Sequence, residues 1–169
     1  HHNGNSLRFY TNGSNERFRI TSSGHLSLGG SDLTKTWSLG KAIHIGVSEN
    51  ALWGEGDYAF HMMQNAYYNG GWKYTHTDEA SLYSSADGKH IFYTAASGSA
   101  DSAITWGERF RIDSSGNLGI GINNPSSIIH ATGSNSSTGY QFINTHTTSG
   151  FGVFIKGGGT TTDRYALRV

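Results

Sequence analysis

The sequence predicts an all-β chain built from repeated hairpins, and three observations carry that expectation. The phrase ERFRITSSGHLSLG at residues 16–29 recurs as ERFRIDSSGNLGIG at residues 108–121, 92 positions on. In both copies Phe and Ile alternate with Arg, a polar turn with Gly in third place follows, and apolar residues alternate again. That is the period of a strand, a tight turn and a second strand. The composition agrees, with 24 Gly, one Pro and 12% aromatic residues spread along short alternating segments, and no convincing long helix.

In chain order, residues 7–11 (LRFYT) lead through Asn12 and Gly13 into residues 16–20, an Asn-Gly hairpin signal. Residues 26–28 complete a three-strand meander. Residues 42–48 alternate around Ile43, Ile45 and Val47. Residues 59–68 fit two periods: Phe60, Met63 and Tyr67 stand at helical spacing, while the Tyr67-Tyr68 end before Asn69-Gly70-Gly71 fits a strand entering a turn, and strand is the preferred reading. Further strands are expected at 72–75, 81–84, 90–94, 103–106, 128–131, 140–144, 151–156 and 164–169. The only proline, Pro125, stiffens the passage after the second phrase. The organisation that follows is the end of one repeat as a β-meander (1–30), a β module (31–107), the repeated hairpin phrase with a linker (108–125), and the start of a next module (126–169). The 169 residues read as a window cut from a longer polypeptide.

The charged share is 14% against about 25% in ordinary globular chains. Twelve basic residues balance twelve acidic ones, so no basic field collects nucleic acid or anionic lipid. Cysteine is absent, which removes disulfides, thiolate nucleophiles and zinc-thiolate sites. No apolar run approaches the ~20 residues of a membrane span, so membrane insertion is not expected. Only 35% of residues are hydrophobic, so three copies sharing one core would gain most from burial.

The phrase at 108–121, followed by Asn124-Pro125, resembles the recurrent shaft phrase of bacteriophage tail fibres and related virion appendages, of the aquatic-phage type. The stretches at 64–74 (QNAYYNGGWKY) and 92–98 (FYTAASG) are similar to modules found between such phrases, so the resemblance spans most of the chain. It implies an elongated homotrimeric fibre in the extracellular virion. The implied partners are further copies of the chain, other virion proteins, and a host-surface glycan or protein receptor. Longer members end in a self-cleaving chaperone, whose catalytic region nothing here matches. Two alternatives stand beside it, a carbohydrate-binding or depolymerising tailspike module and a bacterial surface adhesin.

No enzyme activity, catalytic residue, cofactor or metal is expected. The nine histidines include no His-x-His and no His-Glu-x-x-His spacing, and read as surface or interface residues. Asp113 opens a stretch like a calcium loop, yet its counterpart in the first phrase is Thr21, so a turn capped by Asp113 is the better reading. Glu55 with Asp57, and Asp78 with Glu79, are acidic pairs of the kind that loops carry. Arg17, Arg19, Arg109 and Arg111 are expected to pair with Glu16 and Glu108 in neighbouring strands or chains. Trp53, Tyr67, Tyr68, Trp72 and Tyr74 lie beside Gly-rich turns. Core or interchain packing is the first expectation for this cluster, and contact with a receptor or glycan the second.

Overall fold

The computed structural model describes residues 5–29, 35, 37–38, 40–46 and 50–133. The expected strands at 140–144, 151–156 and 164–169 lie outside these residues, as do Val47, His1, His2 and His146. The chain divides into two compact units after Thr132, and all the strands below belong to the first.

Among the described residues every regular element is a strand: β1 (Leu7–Thr11), β2 (Asn15–Ile20), β3 (Leu26–Leu28), β4 (Lys41–Ile45), β5 (Asn50–Glu55), β6 (Ala59–Gln64), β7 (Ala66–Tyr68), β8 (Trp72–Tyr74), β9 (Asp78–Ala86), β10 (Lys89–Gly98), β11 (Gly107–Ile112), β12 (Leu118–Ile120) and β13 (Ile129–Ala131). The 59–68 stretch is strand, as preferred. It is split at Asn65, which takes φ 55° and ties the corner by accepting from His76 N (2.7 Å) and donating to Glu79 O (2.9 Å). The 103–106 segment forms no strand, only a bridge from Ala103 to Lys73. β5 was not expected, because Gly54 interrupts its alternation.

Eleven strands form one sheet in the order β1-β2-β3-β4-β5-β6-β9-β10-β11-β12-β13. Neighbours are antiparallel except β3 with β4 and β12 with β13, which are parallel. One sheet therefore takes strands from residues 1–30, from 31–107 and from 108–131.

Its two ends repeat each other bond for bond. The register Phe18↔Leu28 and Ile20↔Leu26 matches Phe110↔Ile120 and Ile112↔Leu118. Both turns close through the same backbone bond, Thr21 N to His25 O and Asp113 N to Asn117 O (2.9 Å each), with Gly24 and Gly116 at φ 81° and 84°. A residue other than glycine is strained at such an angle. Asp113 Oδ1 accepts from Ser115 N and Asn117 N, both at 2.9 Å, which is the cap the sequence suggested. These bonds hold its carboxyl below the ordinary range.

The duplication also extends beyond the phrase. β1 pairs with β2 as β10 pairs with β11, with a bulge at Phe9/Tyr10 and at Phe92/Tyr93, and the Phe9–Phe18 and Phe92–Phe110 rings meet edge to face at 5.4 and 5.5 Å. Arg17 Nε donates to Thr11 Oγ1 at 2.8 Å and Arg109 Nε to Thr94 Oγ1 at 2.7 Å. The recurring unit is therefore four strands, β1–β4 and β10–β13.

The bulge corrects one expectation. The extra residue, Arg17 or Arg109, shifts the alternation so that Glu16 and Arg19, or Glu108 and Arg111, share a face. The resulting pairs lie within one strand and are bidentate. Arg19 reaches Glu16 at 2.6 and 2.9 Å, and Arg111 reaches Glu108 at 2.7 and 2.8 Å. Arg17 and Arg109 take the threonine hydroxyls instead of a carboxylate.

Candidate functional site

The sheet has two unlike faces. On one, β7 and β8 form a small hairpin that closes over β5 and β9, extended on one side by Trp37 and Ser38 and on the other by residues 101–104. Ser38 N bonds Tyr68 O at 3.1 Å, and Ile104 N bonds Trp72 O at 2.9 Å. Beneath this lid sits the core of Ala42, Ala51, Trp53, Met63, Ala66 and Leu82, with Trp37, Tyr68, Trp72, Tyr93, Ile104 and Trp106 packed against it.

Trp53 stands at its centre, 0% exposed. It stacks on His61 (5.0 Å) and Tyr68 (5.4 Å) and meets Trp72 edge-on at 5.3 Å. Tyr67 and Tyr74 are also buried, their hydroxyls donating to Asp101 Oδ1 (2.6 Å) and Ala96 O (2.5 Å). Gly98 lets the Tyr74 ring lie flush, since a Cβ there would run into it. Of the five aromatics put forward for receptor contact, these three pack in the core, and Tyr68 and Trp72 are half-buried. Trp53, Tyr67 and Tyr74 therefore have their faces covered within the single chain, while Tyr68 and Trp72 lie at the margin of the core.

Three histidines share this interior. His25 Nδ1 accepts from Ala42 N at 3.1 Å, and its ring lies 5.8 Å from that of His44. Burial, with His25 adding to it, lowers the His44 pKa to about 4, and burial lowers His25 and His61 as well. Glu55 stands 3.4 Å from His61 Nε2, but burial outweighs its pull and holds the His61 pKa below its ordinary value. All three are interior residues of the single chain, where surface or interface histidines were expected. Among the described residues no three His, Asp or Glu side chains converge as metal ligands would. Of the acidic pairs, Asp78 and Glu79 bond each other, and the Glu79 side chain and backbone N–H hold the Asp78 carboxyl below its ordinary range. A polar pocket between Asn50, Gln64, Asn65, His76 and Asp78 holds one carboxylate, and Asp78 bonds the backbone of its neighbour Glu79 at 2.9 Å.

The opposite face carries no lid among the described residues. Read across the register, Leu7, Ile20, Leu26, Ile43, Leu52, Met62, Tyr83, Phe92, Phe110, Ile120 and Ala131 stand side by side, one per strand. Phe9, Phe18, Leu28 and Ile45 widen the row at one end, and Ile112, Leu118 and Ile129 at the other. The Phe and Ile positions of the two phrases are equivalent and opposite Arg19 and Arg111, as the alternation requires. In the single chain, however, theirs is the open side, with Phe9 52%, Phe92 46% and Ile112 39% exposed.

Every large apolar strand residue with substantial exposure lies on this face. With side chains of about 200 Å², their exposed parts amount to roughly 1,000 Å². A typical monomer's largest apolar patch is about 300–600 Å². The stripe is two or three residues wide, about 7–14 Å, and about 48 Å long at ~4.8 Å per strand. No family model matches the chain, and no curated protein matches it.

Proposed function

We propose that this chain is a structural segment of a bacteriophage tail fibre or related virion appendage, in which three copies share one core and support attachment to the host cell. The observation that carries the reading is the open apolar row that crosses all eleven strands. Its ~1,000 Å² exceeds the roughly 800 Å² that each partner contributes to a standard stable interface. Three narrow strips facing one axis would cover one another, and the axis would lie along the row, perpendicular to the strands. The duplicated unit supports the same picture, because a sheet that repeats along its own width extends into a shaft. The tail-fibre character of the repeated phrase supplies the biological setting. Adhesive contact then falls to turns and rims outside the row, such as Tyr58, which is 77% exposed between β5 and β6.

Light scattering on the purified chain tests the assembly directly. The expected mass is that of three 18.2 kDa chains. A folded monomer or dimer at micromolar concentration would overturn the shared core and with it the fibre.

A further inference from the structure

Asparagine followed by glycine occurs at Asn12-Gly13 and at Asn69-Gly70, and a third such pair, Asn3-Gly4, lies outside the described residues. In this pair the asparagine amide carbon is one small ring closure away from the next backbone nitrogen, and glycine has no side chain to hinder the approach. The fold treats the two described pairs differently. Asn12-Gly13 is the tip of the β1–β2 hairpin. Both residues are exposed, at φ 49° and 78°, and Ser14 N donates to Asn12 O at 3.0 Å. Among the described residues nothing accepts from Gly13 N. Asn69-Gly70 turns β7 into β8 under restraint. Asn69 is half-buried and its N–H donates to Gly71 O at 3.0 Å, while Gly70 N donates to Ser38 Oγ at 2.9 Å. Ser38 is held in turn, its own N–H bonding Tyr68 O at 3.1 Å.

We infer that Asn12 is a site of spontaneous deamidation in the folded chain, and that Ser38 shields Asn69 from the same reaction. Gly13 N, on losing its proton to solvent, attacks Asn12 Cγ. The N–Cγ bond forms, the Cγ–Nδ2 bond breaks, and Nδ2 takes a proton from solvent and leaves as ammonia. Water then opens the cyclic imide at either carbonyl, leaving an aspartyl residue or an isoaspartyl link at position 12. Nothing is oxidised or reduced, and water is the only co-reactant. A nitrogen that already donates must first break its bond, so Gly70 N is available only while its contact with Ser38 is open. The nitrogen of Gly13 has only solvent to displace. Either product puts a negative charge on a chain of net charge +0, and the isoaspartyl link lengthens the backbone by one carbon where β1 turns into β2. The second unit has no counterpart, because residues 95–106 stand there in place of residues 12–14. The site is complete within one chain and does not depend on assembly in threes.

The test incubates the full chain in mildly alkaline buffer, with and without denaturing guanidinium chloride, and follows amide-to-acid conversion at each asparagine by mass spectrometry of proteolytic fragments. In the folded chain Asn12 should convert about tenfold faster than Asn69 or more, while in denaturant the two rates should converge. Ser38→Ala, which removes the acceptor of Gly70 N, should raise the Asn69 rate and leave the Asn12 rate unchanged. Ser38→Thr, which keeps a hydroxyl there, should retain the slow rate. Equal rates at the two sites in the folded chain would overturn the inference. So would a folded chain that keeps Asn12 intact for as long as the unfolded chain takes to convert it. An Asn69 rate that is the same with serine, threonine and alanine at position 38 would overturn the shielding.

Discussion

Replacing Phe92 by Asp separates the two faces of the sheet. Phe92 lies mid-row, 46% exposed, against Tyr83 at 5.0 Å and Phe110 at 5.5 Å. Within one chain the two ring pairs account for about 1–3 kcal/mol, at about 0.5–1.5 each beyond the area already buried. In the assembly the remaining ~90 Å² would also be buried, about 2 kcal/mol per copy at ~25 cal/mol/Å². Over three copies that is about 6–7 kcal/mol, or between four and five powers of ten in the assembly constant, before the cost of placing three carboxylates together is added. Sedimentation or light scattering should therefore find the variant monomeric at micromolar concentration. Its circular dichroism should remain that of a folded β chain. A variant that keeps the wild-type oligomer would refute the assignment of this face to the interface. A variant that unfolds as a monomer would show that the row is already covered within one chain.

Trp53→Ala should act in the opposite way, lowering stability to urea by about 3–5 kcal/mol through the cavity it leaves, with any loss of assembly following from unfolding. Acid should weaken the fold through His44. Its folded pKa of about 4 lies below the 6.5 of the unfolded chain, so between those values the unfolded state binds the proton more readily. Stability is then full above pH 6.5 and declines toward pH 4, by an amount on the order of 3 kcal/mol for this group. Urea titrations at pH 7.5 and 4.5 should show that loss, and His44→Asn should reduce it while His25 and His61 retain their share; an unchanged pH profile in His44→Asn would refute the role. Glu108→Gln should cost about 1–2 kcal/mol by leaving Arg111 without its bidentate partner, and pairing it with Arg111→Met should recover part of that loss in a double-mutant cycle.

The strands of the repeated phrase were legible because alternation and a Gly-bearing turn are local signals. The wider duplication was hidden by spacing. Leu7 and His90 are 83 positions apart whereas the phrase recurs at 92, because residues 95–106, the far end of β10 and its passage across the lid, stand where residues 12–14 make a tight turn. Period-2 patterning sorts residues between two faces, but it does not say which face is covered. Both sides here are apolar, and the outcome depends on where the β7–β8 hairpin lands. That long-range placement buries Trp53 and leaves Phe92 open, and it takes His25, His44 and His61 into the interior. Glu16 and Glu108 changed sides for a different reason, a bulge that adds one residue to a strand whose sequence reads as regular.

The parallel neighbours β3 and β4 have a consequence for heading. From β1 to β10 the sheet makes seven steps, six antiparallel and one parallel. Were all seven antiparallel, β10 would run against β1, and the second unit would enter upside down with its turns at the wrong rim. The one parallel step absorbs the odd count, so β10 sets out in the direction of β1 and its Phe, Tyr and Thr meet the same surroundings. It acts as a phase correction written into each unit, since β12 and β13 make the same step again. Between β4 and β10 the sheet can thus gain or lose strands only two at a time, as whole hairpins, if successive units are to keep one heading.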